Sequence, residues 1–274
     1  MRDLAALLAD GGVAVLTGAG MSTDSGIPDY RGATGQARRV APMTYQAFVG
    51  SEAARQRYWA RSHAGWPSIA AAVPNEAHRA LAALSRAGLL TGTITQNVDG
   101  LDRAAGARDL VELHGDLSRV VCLGCAEVTS RAALDGRLQA ANPHTARRGT
   151  MAPDGDADVT DAGSFTVVGC LTCGGMLKPD VVFFGEPVPL DRVERAFATV
   201  DAARCLLVLG SSLAVMSGYR FVLRAARAGQ PVAIVNRGPT RGDPHAALRI
   251  DAGLAQTLRE LADALCGQRG QRHA

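Results

Sequence analysis

This 274-residue chain has only one lysine and no long apolar stretch. Lys178 is the only lysine among 29 basic residues, and arginine supplies all the others. No apolar run approaches the roughly 20 residues that a membrane-spanning helix needs, so we expect no membrane association. The net charge of +3 does not favour nucleic-acid binding, which usually requires a clustered basic face. The first residues form an amphipathic pattern without an apolar signal core, so we expect a cytoplasmic protein.

The residues that are present favour an α/β fold. The chain has 47% hydrophobic and 20% charged residues, a composition typical of a globular domain. Short apolar, β-branched segments alternate with helix-period segments, which indicates a doubly wound, parallel Rossmann-like sheet covered by helices. The segments that favour strands are residues 13–17, 91–95, 109–113, 181–184, 205–210 and 231–236.

Two insertions interrupt this alternation and predict a smaller lobe. Residues 36–75 hold five of the twelve aromatic residues and favour a helical module. Residues 118–177 hold four of the six cysteines around a middle rich in glycine, proline and aspartate, and favour a zinc-binding module. The remaining segments form the predicted Rossmann-like domain: residues 1–35, 76–117 and 178–274.

A glycine-rich turn follows the first predicted strand. At such a turn, backbone N–H groups and a helix N-terminus can hold a pyrophosphate. The residues in these positions are Gly18, Ala19, Gly20 and Ser22. The usual dinucleotide fingerprint is incomplete, because Thr23 stands where its third glycine is expected. This segment alone therefore leaves a phosphate site and a plain tight turn both open.

The segment after this turn brings a carboxylate, an aromatic ring and a guanidinium together. It contains Ile27, Asp29, Tyr30 and Arg31. A surface turn with an Asp–Arg pair is the alternative to a binding site here.

Polar side chains follow the next two strands at their C-terminal ends, the edge where ligands bind in an open α/β sheet. Gln96, Asn97 and Asp99 are hard to bury there without a ligand, although a capped loop would accommodate two of them. His114 follows the next strand, in a position suited to a general base for a sugar hydroxyl. Most lone histidines are surface or core residues, and we assign no role to the others.

Small polar residues also follow two strands in the second half of the chain. They are Gly210, Ser211 and Ser212 after one strand and Asn236, Arg237 and Gly238 after the other. Either group alone is consistent with a helix cap or a turn. Because four strand ends then meet at one crevice, the coincidence favours a dinucleotide site.

Four cysteines form two Cys-x-x-Cys pairs: Cys122, Cys125, Cys170 and Cys173. Four thiolates are typical of a structural zinc site, since they leave no coordination position for water. Residues 126–169 separate the pairs, a longer spacing than in a compact zinc ribbon, so the module must carry an extra loop. Two disulfides are the alternative, which a cytoplasmic protein disfavours.

Taken together, these motifs resemble those of the sirtuins, a family of NAD-dependent protein lysine deacylases. The resemblance covers nearly the whole chain, in family order. The motifs that carry it are residues 18–22, 26–31, 95–99, 114–115, the four cysteines, 178–186 and 210–213. Residues 57–61, 217–221 and 238–241 are most similar to the class II branch, and the composition indicates a bacterial source.

The resemblance implies a role for each motif. The turn from Ala19 to Arg31 would hold the pyrophosphate and nicotinamide of NAD, with Asp29 near the carboxamide and Tyr30 replacing the family's usual phenylalanine. The nicotinamide-ribose pocket would be lined by Gln96, Asn97 and Asp99. The adenosine half would be held by Ser211, Ser212, Asn236, Arg237, Gly238 and Leu254. The substrate peptide would pair as an added strand with Val181, Val182, Phe183, Phe184 and Gly185.

The resemblance also implies a mechanism, with His114 and Asn97 as catalytic residues. The acyl-lysine oxygen attacks the ribose and nicotinamide leaves, after which His114 acts as general base, so that lysine and O-acyl-ADP-ribose form. A protein mono-ADP-ribosyltransferase is the alternative function. An NAD-sensing module without turnover is less consistent with His114, because a sensor needs no base.

Two further residues bear on the acyl group. Tyr58 and Arg61 have the spacing of the Tyr/Arg pair that binds acidic acyl chains in succinyl-removing sirtuins. Acceptance of succinyl or glutaryl groups and simple packing of the helical module are both open. Lys178 lies beside the predicted peptide segment, and it is the only side chain that self-acylation could modify.

Overall fold

The computed structural model describes residues 1–29, 42–145, 155–157, 159 and 162–272. In chain order, the strands are β1 (Val13–Thr17), β2 (Leu90–Thr95), β3 (Leu110–Glu112), β4 (Gly115–Cys122), β5 (Val128–Ser130), β6 (Leu177–Val181), β7 (Cys205–Leu209), β8 (Val232–Val235) and β9 (Leu248–Ile250). The α-helices are α1 (Arg2–Leu8), α2 (Tyr45–Gly50), α3 (Glu52–Ala71), α4 (Glu76–Arg86), α5 (Leu101–Ala104), α6 (Arg131–Ala141), α7 (Leu190–Asp201), α8 (Met216–Arg227) and α9 (Leu254–Arg272). No helix of the described ranges is long and apolar enough to cross a lipid bilayer.

A six-stranded parallel sheet has the order β3-β2-β1-β7-β8-β9. In the registers of β1, Thr17 pairs with Thr95 of β2 and with Leu209 of β7, so these three strands end at the same level. The strand order reverses between β1 and β7, and a doubly wound sheet binds its ligands outside the carboxyl ends at such a point. The predicted Rossmann-like sheet is therefore confirmed. We call the space between the turns that follow β1, β2, β3, β7 and β8 the strand-end crevice.

Helices cover both faces of this sheet because its central strands are apolar on both sides. Val13 and Val15 of β1 pack with α1, α4 and α9, while Ala14 and Leu16 pack with α7 and α8. All of β1 and β7 is buried. Burying a side chain the size of Leu or Val contributes about 1.5–3 kcal/mol, so these two strands anchor the turns that follow them.

The second sheet is small and antiparallel, in the order β5-β4-β6, and its core includes aromatic residues of α2 and α3. The predicted strand over residues 181–184 is wrong in position, because the strand is Leu177–Val181. The observed strand includes Pro179. Since β6 is an edge strand, it tolerates a residue that cannot donate a ladder hydrogen bond.

The predicted domain boundaries fall inside this small sheet. The 117/118 boundary lies within β4, and the 177/178 boundary lies within β6. Strands of the small sheet thus include residues that the prediction assigned to the Rossmann-like domain. The division into 1–35, 76–117 and 178–274 with two insertions remains a prediction.

Candidate functional site

The turns after β1 and β7 pack against each other through backbone atoms. The Gly18 N–H donates to the Leu209 carbonyl (3.0 Å), and the Gly20 N–H donates to the Gly210 carbonyl (2.8 Å). A Cβ on Gly18 would lie 2.6 Å from the Ser211 Cβ, and one on Gly20 would lie 2.9 Å from the Gly210 Cα. Gly210 also has a φ of +60°, which L side chains rarely adopt. The close approach of these two turns therefore requires glycine on both.

Gln96 and Asn97 bond the turn after β2 to those two turns. Nε2 of Gln96 donates to the Ser211 Oγ at 2.9 Å. Nδ2 of Asn97 donates to the Gly18 carbonyl at 3.0 Å and to the Ser22 Oγ at 3.2 Å. Predicted site residues from three separate turns therefore form one hydrogen-bonded group.

Asp99 belongs to the same group and is partly buried, like the residues beside it. Its Oδ2 accepts a 2.6 Å hydrogen bond from the Ser22 hydroxyl, and its Oδ1 accepts one from the Leu101 N–H at 2.9 Å. Burial raises the pKa of Asp99 above its ordinary value, while these hydrogen bonds oppose the rise. Asp102, on α5 beneath it, is also buried, and burial raises its pKa in the same way.

His114 follows β3, and each of its two ring nitrogens lies at hydrogen-bond distance from another residue. Nδ1 lies 2.9 Å from the Gln96 carbonyl oxygen, and Nε2 lies 2.9 Å from the Ser217 Oγ. Because a carbonyl oxygen only accepts, Nδ1 carries the proton and Nε2 offers the lone pair. Burial lowers the pKa of His114, and the charges of Arg192 and Arg220 lower it further. The ring is therefore held as a neutral imidazole whose basic nitrogen is Nε2.

Two residues near this site escaped the sequence interpretation. His78 is 1% exposed and lies in the first turn of α4, where its Nδ1 accepts from the Asn75 N–H at 3.3 Å. Burial lowers the pKa of His78 to about 4, although the Asp99 charge opposes this shift. The three-residue spacing from Asn75 is that of a capping box and was the available signal. Ser217 lies in the 217–221 segment noted for its class II resemblance, but nothing in that resemblance indicated its contact with His114, which is made across the fold.

The turn after β8 extends the crevice toward the start of α9. The Asn236 side chain donates to the Arg237 and Gly238 carbonyls at 2.8 and 3.0 Å, which closes the turn on itself. Leu254 is buried, and its Cδ1 would lie 2.8 Å from a Cβ on Gly210. The residues predicted to hold adenosine are thus placed at the same sheet edge as the glycine turns.

The segment predicted to hold the nicotinamide is described only in part. Ile27 is buried and Asp29 is half-buried. Tyr30 and Arg31 lie outside the described residues.

The four predicted metal ligands are gathered at the end of the small sheet. Their Sγ atoms all lie within 4.8 Å of one another, with Cys122 and Cys173 3.5 Å apart and Cys125 and Cys170 3.8 Å apart. A disulfide needs about 2.05 Å, so the two-disulfide alternative does not describe this cluster. Four sulfurs at about 2.3 Å from a tetrahedral zinc would be roughly 3.8 Å apart, which the cluster fits.

The predicted peptide segment lies directly beside His114. The Val182 N–H donates to the His114 carbonyl (2.8 Å), and the Phe184 carbonyl accepts from the Tyr45 N–H (2.9 Å). Phe184 is exposed, whereas Val181 and Phe183 are buried. The segment after β6 thus runs from the candidate base to the start of α2.

Lys178 is not the accessible amine that its sequence position suggested. It is 4% exposed, and its Nζ donates to the Val181 carbonyl (2.6 Å) and the Pro179 carbonyl (3.2 Å). Nζ also lies 3.1 Å from the Glu186 carboxylate. In the folded protein, burial and three acceptors therefore shield the one side-chain amine that self-acylation could modify.

Tyr58 and Arg61 both lie on α3 but have different surroundings. The Tyr58 ring is buried and meets the Phe48 and Phe183 rings edge to face, with centroids 5.4 and 5.1 Å away. The Arg61 Nε lies 4.0 Å from the Asp156 carboxylate. Tyr58 therefore packs behind the peptide segment, and Arg61 is already paired with a buried acid.

Comparison with known proteins decides the family of the chain. The model of the Sir2 family matches residues 18–217. The chain belongs to the Sir2 family. It is 54% identical over 269 residues to an "NAD-dependent protein deacetylase 1" of Mycobacterium avium, which covers 96% of this chain and 95% of that protein. It is 57% identical over 268 residues to a protein of the same name in Streptomyces coelicolor, covering 97% of this chain and 90% of that one.

Solved structures of Sir2 proteins have the same fold. One is Sir2 with a p53 peptide and NAD+, with a TM-score of 0.77, 29% identity, and coverage of 96% of this chain and 97% of that one. Another holds an inhibitor, 2′-O-acetyl-ADP-ribose and a deacetylated p53 peptide, with a TM-score of 0.76, 28% identity, and coverage of 96% and 98%. The predicted sirtuin resemblance is confirmed, and the relatives named above are bacterial.

Proposed function

We propose that this Sir2-family protein removes acyl groups from lysine side chains of proteins and consumes NAD to do so. The products would be nicotinamide, the free lysine and O-acyl-ADP-ribose. The observation that carries this function is the neutral His114, with Nε2 as its basic nitrogen, between the Gln96–Asp99 turn and the peptide segment. The names of the Mycobacterium avium and Streptomyces coelicolor relatives support it.

The strand-end crevice fits NAD in its chemistry. The turns at Gly18 and Gly210 pack backbone against backbone, because any side chain there would collide with the opposing turn, and hydroxyl and amide groups of Ser22, Asn97 and Ser211 lie around them. When bound, NAD supplies the electrophilic ribose carbon that accepts the acyl oxygen as nicotinamide departs. This chain would hold the nicotinamide half with the turns after β1 and β2, and the adenosine half with those after β7 and β8.

His114 would remove a proton from a sugar hydroxyl once the acyl oxygen has become attached. The Gln96 carbonyl fixes the tautomer, so only Nε2 can take that proton. The low pKa of His114 keeps it neutral and ready to accept at physiological pH. Asn97 would position the reacting sugar, because its amide is already fixed to Gly18 and Ser22.

The substrate would enter as an extended peptide beside residues 181–185. Added strands are held mainly by backbone hydrogen bonds, so such a site accepts many sequences. The exposed Phe184 and the position of Val182 next to His114 support this placement. An acyl-lysine from this peptide would then lie close to the base.

Zinc would be held by the four cysteines and would have a structural role. The Gly124 and Gly175 N–H groups donate to the Cys122 and Cys173 sulfurs at 3.3 and 3.4 Å, which favours thiolates. With four sulfur ligands, the ion has no open position for a reacting group.

The preference for one acyl group over another depends on whether Tyr58 and Arg61 contact the acyl chain. Their contacts support the packing role, since Arg61 would have to leave Asp156 to meet an acidic acyl chain. Rates on acetyl-lysine and succinyl-lysine peptides should therefore fall by similar factors in Arg61→Met. A selective loss on the succinyl peptide would instead assign Arg61 to acyl recognition.

Release of nicotinamide from NAD tests the proposed function against its alternative. With purified protein, a deacylase releases nicotinamide only when an acyl-lysine peptide is present. Peptide-independent release coupled to labelling of a protein acceptor would establish the ADP-ribosyltransferase. A cytoplasmic location and the absence of nucleic-acid binding remain predictions, which cell fractionation and a binding assay with duplex DNA would check.

A further inference from the structure

Ser217 contacts the candidate base, and the mechanism above does not use it. It lies in the first turn of α8, with its Oγ 2.9 Å from the His114 Nε2. The neighbouring Gly218 packs so closely that a Cβ there would lie 2.2 Å from the Gln96 Oε1. The first turn of α8 therefore packs against Gln96, whose carbonyl also accepts from the His114 Nδ1. This packing fixes the position of Ser217 beside the ring.

The lone pair of Nε2 is already occupied by this contact. Nδ1 carries the ring proton toward Gln96, so the Ser217 hydroxyl must donate its hydrogen to Nε2. An imidazole nitrogen has a single lone pair in the ring plane. A reacting hydroxyl can therefore pass its proton to Nε2 in two ways only, by displacing Ser217 or through it.

The surroundings of the ring favour transfer through Ser217. Within the described part of the chain, Ser217 is the only side chain that hydrogen-bonds the imidazole. The charged groups that act on the ring are Arg192 of α7 and Arg220 of α8, and both disfavour its protonated form. The positive end of the α8 dipole acts in the same direction. The Gln96 carbonyl and a hydroxyl that accepts from the protonated Nε2–H offset these effects, and among the described residues no carboxylate bonds to the ring.

We propose that Ser217 is a proton relay between the reacting sugar hydroxyl and His114. The sugar proton moves to the Ser217 Oγ while the proton of that hydroxyl moves to Nε2, so Ser217 ends as a neutral hydroxyl and His114 as an imidazolium. The Oγ then accepts a hydrogen bond from Nε2–H. This relay rests on the proposed function, since it requires His114 to be the base.

Threonine and valine at position 217 form a matched pair, because they have nearly the same shape and only threonine has a hydroxyl. Ser217→Thr should keep deacetylation within a few-fold of wild type, whereas Ser217→Val should lose on the order of 10²-fold. In a His114→Ala background, Ser217→Val should cost nothing more, since the two residues act in one path. Equal rates for the Thr and Val variants, or an additional loss in the double variant, would overturn the relay.

Imidazole NMR of the free protein tests the contact without NAD or peptide. The His114 resonances, assigned by their loss in His114→Gln, should be alike in wild type and Ser217→Thr. In Ser217→Val the imidazolium loses an acceptor, and its pKa should fall by about one unit. An unchanged titration in Ser217→Val would refute the contact. A wild-type protein that shows the contact but no deacetylation would refute the proposed function instead.

Discussion

The buried His78 should make the protein sensitive to acid, in an amount that the structure defines. Burial lowers its pKa from 6.5 in an unfolded chain to about 4 in the folded protein. As the pH falls, the unfolded chain therefore binds this proton first, and folding stability declines from above pH 6.5 down to about pH 4. At pH 5, the loss relative to pH 8 is about 2 kcal/mol, from 1.36 kcal/mol for each pKa unit.

His78→Gln removes this titration while it preserves the local structure. Nδ1 of His78 accepts from the Asn75 N–H in the capping box of α4, and glutamine is a usual acceptor at that position. Urea unfolding at pH 8 and pH 5 gives the loss of stability for each protein. Wild type should lose about 2 kcal/mol more than His78→Gln between the two pH values.

The comparison between the two proteins isolates His78. His114 also responds to acid, but it is present in both proteins and cancels in the difference. Asp99 has a raised pKa, which acts in the opposite direction; it is common to both proteins, and its interaction with the charge of His78 is part of the measured difference. An equal pH-dependent loss in wild type and variant would show that His78 is not buried as a neutral ring.

Three further predictions concern the turn at Gly210, the buried Lys178 and the cysteine cluster. Gly210→Ala should lower the free energy of unfolding in urea by about 2–4 kcal/mol and abolish NAD binding, because its Cβ would lie 2.8 Å from the backbone of the opposing turn. The control is Gly229→Ala, since Gly229 has a similar positive φ in open space, and it should lower the free energy of unfolding by only about 1 kcal/mol. Equal losses of stability in the two variants would contradict the close approach. An amine-acylating reagent should leave Lys178 unmodified in the native protein and modify it in urea, as peptide mapping would show; labelling of Lys178 in the native protein would contradict its burial. Elemental analysis should find one zinc per chain and none in Cys170→Ala, whose melting temperature should fall; a full zinc content in that variant would refute the cluster.

The sequence predicted the large sheet and most of the candidate site because both depend on local patterns. Buried parallel strands are short apolar runs, and polar residues at their carboxyl ends meet at one edge whatever the details of packing. The sequence therefore predicts that Asn97 and His114 lie at the same sheet edge. The two Cys-x-x-Cys pairs are equally local, and their four sulfurs form a cluster that fits a structural zinc.

What escaped prediction depends on contacts made across the fold. Pro179 resembles a strand breaker, and only the edge position of β6 makes it tolerable. The burial of Lys178 depends on Glu186 and on two carbonyls of a bent segment, which composition does not reveal. The contact between Ser217 and His114 joins the first turn of α8 to the residue pair that follows β3, and no residue spacing in the sequence predicts it.

The role of His114 as general base is the central claim, and His114→Ala tests it when two activities are measured together. In the proposed mechanism nicotinamide departs before the step that needs the base, so the variant should still exchange labelled nicotinamide into NAD in the presence of an acetyl-lysine peptide. Formation of O-acetyl-ADP-ribose should fall by about 10²-fold or more. Full product formation by His114→Ala, or loss of both activities in a variant that still binds NAD, would contradict this role.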